Sequence, residues 1–111
     1  MSPRSWPARI DDMLLCAQNI LDFTEGMDQK TFLNDPRTIR AVAFELMTIG
    51  EVVRAIPDDI QAEAPDIPWG KMVGIRNVLV HEYFRLDEEI LWKTAREDIP
   101  LLIDSLNKLR E

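Results

Sequence analysis

The sequence predicts an all-α fold, a bundle of four or five helices. Apolar residues recur at the i, i+3, i+4, i+7 spacing of amphipathic helices, and no segment shows the alternating pattern of a half-buried strand. Hydrophobic residues make up 46% and charged residues 30% of the chain, a balance typical of a packed domain. We therefore expect a single domain over residues 1–111.

The first two long helices are marked by their caps. Ser5 is a candidate N-cap and Gly26 a candidate C-cap of the first helix. The apolar stripe of this helix is formed by Ile10, Met13, Leu14, Ala17, Leu21 and Thr24. Residues 27–34 predict a loop or a short helical turn. Asp35 followed by Pro36 begins the second helix, which must end before Pro57.

Prolines divide the second half of the chain. The segment from Pro57 to Pro68 contains three prolines and has room for at most one helical turn. Pro68 can begin a third helix that runs to about Glu82. Asp87 caps a fourth helix, and Pro100 inside it predicts a kink or a split.

Charge and composition exclude several classes of protein. Thirteen Lys and Arg against twenty Asp and Glu give a net charge of −7, which argues against a surface that coats nucleic acid broadly. Between Trp69 and Leu86, however, positive charge is in local excess, which leaves room for a small cationic cleft. One cysteine and one histidine exclude an internal disulfide and any multi-cysteine or His-rich metal site.

The chain shows no membrane or export signal. No apolar run approaches the ~18 residues of a membrane span, and the opening residues lack the apolar region of a secretory signal. We therefore expect a cytoplasmic protein that makes no membrane contact. We also expect no metal, because one histidine and scattered carboxylates form no recognisable ligand set, and no cofactor.

Three glycines fall inside the predicted helices: Gly50, Gly70 and Gly74. A glycine within a helix costs about 1 kcal/mol relative to alanine, so its presence indicates that something approaches the backbone closely. Tight packing within one chain and an interface between subunits explain this equally well.

The segment from Arg76 to Tyr83 contains an arginine, the single histidine and the single tyrosine of the chain. The planar, permanently charged guanidinium suits phosphate oxygens, and imidazole exchanges protons near neutral pH. Arg76 and His81 together supply the minimum for cutting a phosphodiester without a metal. The imidazole would deprotonate a ribose 2′-hydroxyl or protonate the leaving oxygen, while the guanidinium offsets the charge that grows in the transition state.

The spacing of these residues limits how they can act. On an ideal helix Arg76 and His81 point about 140° apart, whereas Arg76 and Tyr83 nearly eclipse. One regular helix therefore cannot aim both Arg76 and His81 at a single phosphate. Either the helix ends or distorts near His81, or two copies face each other across a two-fold axis. We favour a symmetric homodimer with these motif helices at the interface, with which the helical glycines are compatible.

The same residues also have structural interpretations. A histidine near a helix end is often a C-cap or a partly buried hydrogen-bonding residue, and Tyr83 beside Phe84 could belong to the core. Lys71 could extend a cationic, phosphate-binding cleft or be solvated. Glu51 could orient Arg76, or it could simply pair with Arg54. Three arginines of the second helix could also line the cleft, although their spacing does not share one stripe: Arg37, Arg40 and Arg54.

Several segments together carry a family resemblance. The residues from Arg76 to Tyr83 read R-x4-H-x-Y. Upstream, residues 45–51 contain I-G-E and residues 66–77 contain I-P-W and G-I-R-N; downstream, Tyr83-Phe84 precede Asp87, Trp92 and the D-I-P of residues 98–100. This ensemble resembles the HEPN superfamily, specifically its HepT-like branch, from about Ile10 to Leu109.

The resemblance implies a compact helical homodimer and a biological role. HepT-like proteins are typically metal-independent endoribonuclease toxins of type VII-like toxin–antitoxin pairs, with tRNA among the candidate substrates. Arg76 and His81 correspond to the catalytic residues, and Asn77 to a polar position of the same site. Tyr83 corresponds to the tyrosine to which the antitoxin, a minimal nucleotidyltransferase (MNT), transfers AMP and thereby silences the toxin. Because Tyr83 is expected to share a helix face with Arg76, the added phosphate would occupy the cleft and repel RNA.

A second function remains open from the sequence. The chain could be a non-catalytic helical dimer that acts as the binding partner of a nucleotidyltransferase, with a silent R-x4-H site. Loss of activity in His81→Ala with the fold retained would distinguish the enzyme from this partner.

Overall fold

Four long helical segments make up most of the structure, a computed structural model that describes residues 5–111. Within these residues 81% of the chain is helical and there are no strands, which confirms the all-α prediction. The helices are α1 Trp6–Thr24, α2 Gln29–Leu33, α3 Pro36–Val53, α4 Asp58–Glu63, α5 Trp69–His81, α6 Glu88–Lys93 and α7 Ile99–Arg110. The expectation that the chain opens without a secretory signal rests mostly on residues 1–4, which lie outside the described residues.

The structure confirms the predicted caps of α1 and α3. Ser5 accepts a 3.4 Å contact from the backbone N–H of Ala8 at the start of α1. Asp35 accepts from the N–H of Thr38 at 3.2 Å, and Pro36 is the first residue of α3. Gly26 adopts a φ of 76° just past the end of α1, a conformation that favours glycine.

Helix α3 lies at the centre of the bundle. It packs along both α1 and α5, and α7 packs against α1. The core between them is apolar and includes Ile10, Met13, Ile20, Phe32, Val42, Leu46, Ile49, Met72, Leu91, Ile99, Leu102 and Leu106. No helix within residues 5–111 is both long enough and apolar enough to cross a membrane.

Pro100 splits the last long segment, as predicted. Helix α6 continues into a wide π-helical turn, Thr94–Asp98, and only then into α7 with Pro100 in its first turn. A proline has no N–H to donate, and its ring collides with the carbonyl of the preceding turn. The widened turn absorbs both effects without ending the helical run.

The indole of Trp69 fixes the beginning of α5. Its Nε1–H is shared between the carbonyl oxygens of Gln61 at 3.2 Å and Ala64 at 3.1 Å, and its ring is buried. The short helix α4 and the loop after it are therefore tied to the first residue of α5. This contact holds α5 in register with the rest of the bundle.

The end of α5 corrects one expectation. The helix ends at His81, Glu82 leaves helical geometry at φ −138°, and Tyr83–Arg85 form a separate 3-10 turn. The expectation that Tyr83 shares a helix face with Arg76 is therefore wrong. That expectation assumed that the helix continues through Glu82, but the backbone leaves helical geometry at this residue.

Candidate functional site

A close approach between α3 and α5 places the base of the Arg76 side chain. A Cβ added to Gly50 would lie 2.3 Å from Arg76 Cβ and 2.6 Å from the carbonyl oxygen of Met72. Only glycine fits this contact. Of the two explanations that the sequence left open, tight packing within the chain therefore holds for Gly50, and the contact presses the stem of Arg76 against α3.

Two neighbours hold the guanidinium of Arg76. Its Nε lies 2.9 Å from Oε2 of Glu51 on α3, and its Nη1 donates to Oδ1 of Asn77 at 2.9 Å. The buried Nε–H is not aligned with the carboxylate, so the Glu51 contact is an ion pair rather than a hydrogen bond. Glu51 also lies 3.6 Å from Nη1 of Arg54, so both interpretations of Glu51 hold.

The remaining edge of the guanidinium is open. The Arg76 side chain is 18% exposed, and within residues 5–111 its Nη2 has no hydrogen-bond or ion-pair partner. Because Glu51 is 60% exposed, the ion pair contributes little to stability, on the order of 1 kcal/mol or less. Its main effect is to fix the direction of the fork, whose open edge can then receive a phosphate.

His81 is the last residue of α5, and its side chain is exposed. In the described part of the chain the ring makes no hydrogen bond or ion pair, which argues against a partly buried hydrogen-bonding role. The helix does end at His81, as one of the two alternatives required, but His81 is still the last residue of α5, so helical geometry places it about 140° around the axis from Arg76. The two residues remain on different sides of the helix.

Asn77 connects the two sides. It accepts from Arg76 and also lies one turn before His81, on an outward-facing stripe formed by Gly70, Gly74, Asn77 and His81. A Cβ added to Gly70 or Gly74 would meet nothing within 4 Å. The close approach expected at these two glycines is therefore absent within residues 5–111, and the subunit-interface explanation remains for them.

Lys71 lies apart from this arrangement. Its Nζ forms an ion pair with Oδ2 of Asp98 at 2.6 Å, which directs it toward α7. The structure therefore brings Arg76, Asn77 and Glu51 together, and it does not bring Lys71 to them.

Tyr83 lies between two grooves at the end of the α3–α5 contact. One groove, of about 210 Å³, is lined by Arg40, Ala43, Phe44, Met47, Leu79 and Tyr83. The other, of about 300 Å³, is lined by Leu33, Pro36, Ile39, Arg40, Tyr83, Phe84, Leu86 and Glu88. Tyr83 itself is half-buried, whereas Phe84 is 99% exposed and meets the Tyr83 ring edge-on, with centroids 5.7 Å apart.

The sequence did not predict the exposure of Phe84, and it gave little weight to Arg40. The available signal was the position of Phe84 directly after the motif tyrosine, but adjacent aromatic residues also occur in cores. No pattern in the sequence showed that α3 would bring Arg40 alongside Tyr83.

No metal site is formed by the part of the chain that the structure describes. Within residues 5–111 no group of three or more His, Cys, Asp or Glu side chains is arranged to hold an ion.

Comparison with known proteins adds independent findings. Residues 13–109 match the model of the family described as Ribonuclease HepT-like. "Putative RNase MJ1380" of Methanocaldococcus jannaschii is 40% identical over 100 residues, which cover 90% of this chain and 92% of that protein. "Probable ribonuclease HepT" of Thermococcus cleftensis is 39% identical over 108 residues, or 97% of this chain and 98% of its own length. No solved structure matches the chain significantly.

Proposed function

The chain belongs to the HepT-like ribonuclease family, and we propose that it is an endoribonuclease that cuts RNA at Arg76 and His81 without a metal ion. The observation that carries this proposal is the guanidinium of Arg76. Glu51 and Asn77 fix it from two directions and leave its outer edge open, and α5, the helix that carries it, ends in an accessible histidine.

The chemistry follows from these side chains. One His81 takes the proton of a ribose 2′-hydroxyl, and that oxygen attacks the adjacent phosphorus. The bond from phosphorus to the 5′-oxygen breaks, and the leaving oxygen takes a proton from an imidazolium. The products are a 2′,3′-cyclic phosphate and a 5′-hydroxyl end. Arg76 binds the non-bridging oxygens and offsets the negative charge that increases on them.

A symmetric homodimer would supply both proton-transfer groups. Each chain has one histidine, whereas the reaction needs a base and an acid at the same time. The stripe of Gly70, Gly74, Asn77 and His81 is outward-facing, and its glycines would let a second α5 approach closely. Gly74→Arg should therefore give a monomer by light scattering and abolish cleavage. A dimer that retains activity would contradict this assembly.

The proposed biological role is that of a toxin silenced by AMP. Tyr83 is half-buried between two grooves that Arg40 also lines, so a phosphate attached to its hydroxyl would lie near a cation. The modifying enzyme would be an MNT-type nucleotidyltransferase antitoxin. Incubation with that enzyme and ATP should add adenylyl mass to the wild type and not to Tyr83→Phe. Equal addition to both proteins would remove Tyr83 from this role.

The decisive experiment measures RNA cleavage in EDTA at low salt, because phosphate contacts weaken steeply with ionic strength. Wild type should cut total RNA or a tRNA pool, His81→Ala should not, and Arg76→Lys should be strongly impaired because it loses the planar fork. Lys71→Ala is the matched control, since it removes a cation that pairs with Asp98 instead. Equal cleavage by wild type and His81→Ala would refute the assigned chemistry. No cleavage by unmodified wild type would favour a non-catalytic partner.

A further inference from the structure

We propose that the groove between α3 and the end of α5 binds the single-stranded RNA that leads to the cleavage site. Arg40 would hold a phosphate, and Phe84 would stack on an unpaired base. This inference rests on the proposed ribonuclease function and adds to it a substrate class and two binding residues.

The exposure of Phe84 is the first observation. Its side chain is 99% exposed, although burying a phenylalanine is worth about 1.5–3 kcal/mol. The Tyr83 ring supports the Phe84 ring through an edge-on contact, with an angle of 81° between the two ring planes. An exposed aromatic ring backed by a second ring is a platform on which a base can stack.

The second observation is the charge of Arg40. Arg40 lines both grooves beside Tyr83, and within residues 5–111 no carboxylate lies within ion-pair distance of its guanidinium. Its one hydrogen bond is a long 3.5 Å contact to the carbonyl of Pro36. Glu88 is the single carboxylate among the residues that line the two grooves. On a chain of net charge −7, this cation is a local exception that attracts phosphate.

The third observation is continuity with Arg76. Gly50 of α3 meets Met72 and Arg76, whereas the start of α3 meets Leu79 and Tyr83, so the two helices run antiparallel. Arg40 lies about 16 Å along α3 from Glu51, which pairs with Arg76. The 210 Å³ groove covers the part of this distance from Arg40 to Met47, which lies one turn before Glu51, and it is lined there by Phe44, which is 59% exposed. A strand of a few nucleotides would therefore run from Arg76 to Arg40.

This arrangement selects unpaired RNA. Two cations combined with exposed aromatic rings are the pattern of proteins that bind single strands. Here Phe44 lies between the two arginines, and Phe84 lies in the second groove that Arg40 also lines. Bases inside a duplex are stacked on their neighbours and cannot reach Phe84. A nucleotide attached to Tyr83 would lie in the same groove, so modification would block the substrate path as well as add charge.

The test measures binding of a short fluorescent RNA to variants built on His81→Ala, which binds without cutting. Phe84→Ala should raise Kd for the single strand on the order of tenfold, Phe84→Trp should restore it, and binding of the matched duplex should not change. Phe23→Ala is the aromatic control, because Phe23 is 41% exposed on α1. Arg40→Ala should weaken binding and reduce by about one the slope of the logarithm of the binding constant against the logarithm of the salt concentration. Arg37→Ala, on the same helix, should leave that slope nearly unchanged.

The outcomes separate this inference from the ribonuclease proposal. If wild type cuts RNA and Phe84→Ala binds the single strand as tightly as its parent, the stacking site is wrong and the nuclease stands. Dissociation of the dimer in Phe84→Ala would assign the ring to a subunit contact and overturn the site. If wild type does not cut RNA but binding depends on Phe84 and Arg40, the groove stands and the nuclease proposal fails.

Discussion

Replacing Gly50 with alanine tests how Arg76 is positioned. The new Cβ would lie 2.3 Å from Arg76 Cβ, about 1 Å short of an ordinary carbon–carbon contact. It would also lie 2.6 Å from the carbonyl oxygen of Met72, a backbone atom that no side-chain rotation can move. Helices α3 and α5 must therefore separate. Overpacking of this kind costs about 3 kcal/mol at the upper end of its usual range.

The helix preference of alanine offsets part of that cost, by about 1 kcal/mol. We expect a net loss of about 2 kcal/mol in the free energy of unfolding of Gly50→Ala, or roughly 10 °C in Tm for a domain of this size. Because the displaced residue is Arg76, cleavage activity should fall at temperatures where the variant is still folded.

The assay is thermal unfolding by circular dichroism at one fixed protein concentration, with RNA cleavage measured in parallel. Asn107→Ala is the control for helix preference, because Asn107 is exposed on α7, away from α5 and from both grooves, and alanine at this position should make the protein slightly more stable and leave cleavage unchanged. If Gly50→Ala is as stable as wild type and fully active, the close contact does not position Arg76.

Three further predictions concern single side chains. Burial, aided by a hydrogen bond to Glu45, raises the pKa of the Cys16 thiol to about 12; the native protein should therefore not react with a thiol reagent near pH 8, and rapid native labelling would contradict this. Hydrogen bonds from Thr38 lower the pKa of Asp35, so its ionised form stabilises the fold above its unfolded pKa and this stability is lost as pH falls through the folded pKa. Tm should accordingly fall less on acidification in Asp35→Asn than in wild type, and identical pH profiles would count against the cap. Glu51→Gln should lower kcat, because Arg76 is then positioned more loosely, and it should leave KM equal or lower, because a negative charge is gone. The free energy of unfolding should change by less than about 1 kcal/mol. An unchanged kcat would show that Glu51 does not position Arg76.

Local chemistry explains which parts of the fold could be predicted. The start of α3 follows from Asp35 and Pro36, because a cap and a proline act on the adjacent backbone alone. The split before α7 follows from Pro100 for the same reason. The pairing of Glu51 with Arg76 was one of two stated alternatives, and periodicity could not choose between them because the contact joins two different helices.

Features that depend on tertiary contacts or on a single backbone angle could not be predicted. The salt bridge from Lys71 to Asp98 joins residues that no helical spacing relates. The position of Tyr83 changed because Glu82 leaves helical geometry, and one residue is enough to end a periodicity argument. Gly50 and Gly74 look alike in sequence, yet a Cβ on Gly50 would collide with Arg76, whereas one on Gly74 would meet no atom of residues 5–111 within 4 Å.

The acidity of the chain fits the proposed site. With a net charge of −7, most of the surface repels RNA, and attraction is confined to cations without close carboxylate partners. Arg76 is partly neutralised by Glu51, which orients it, while Arg40 has no such partner within residues 5–111. In the proposed enzyme these two arginines therefore have different tasks. Arg40 attracts the strand, and Arg76, held by Glu51 and Asn77, binds the phosphate that is cut.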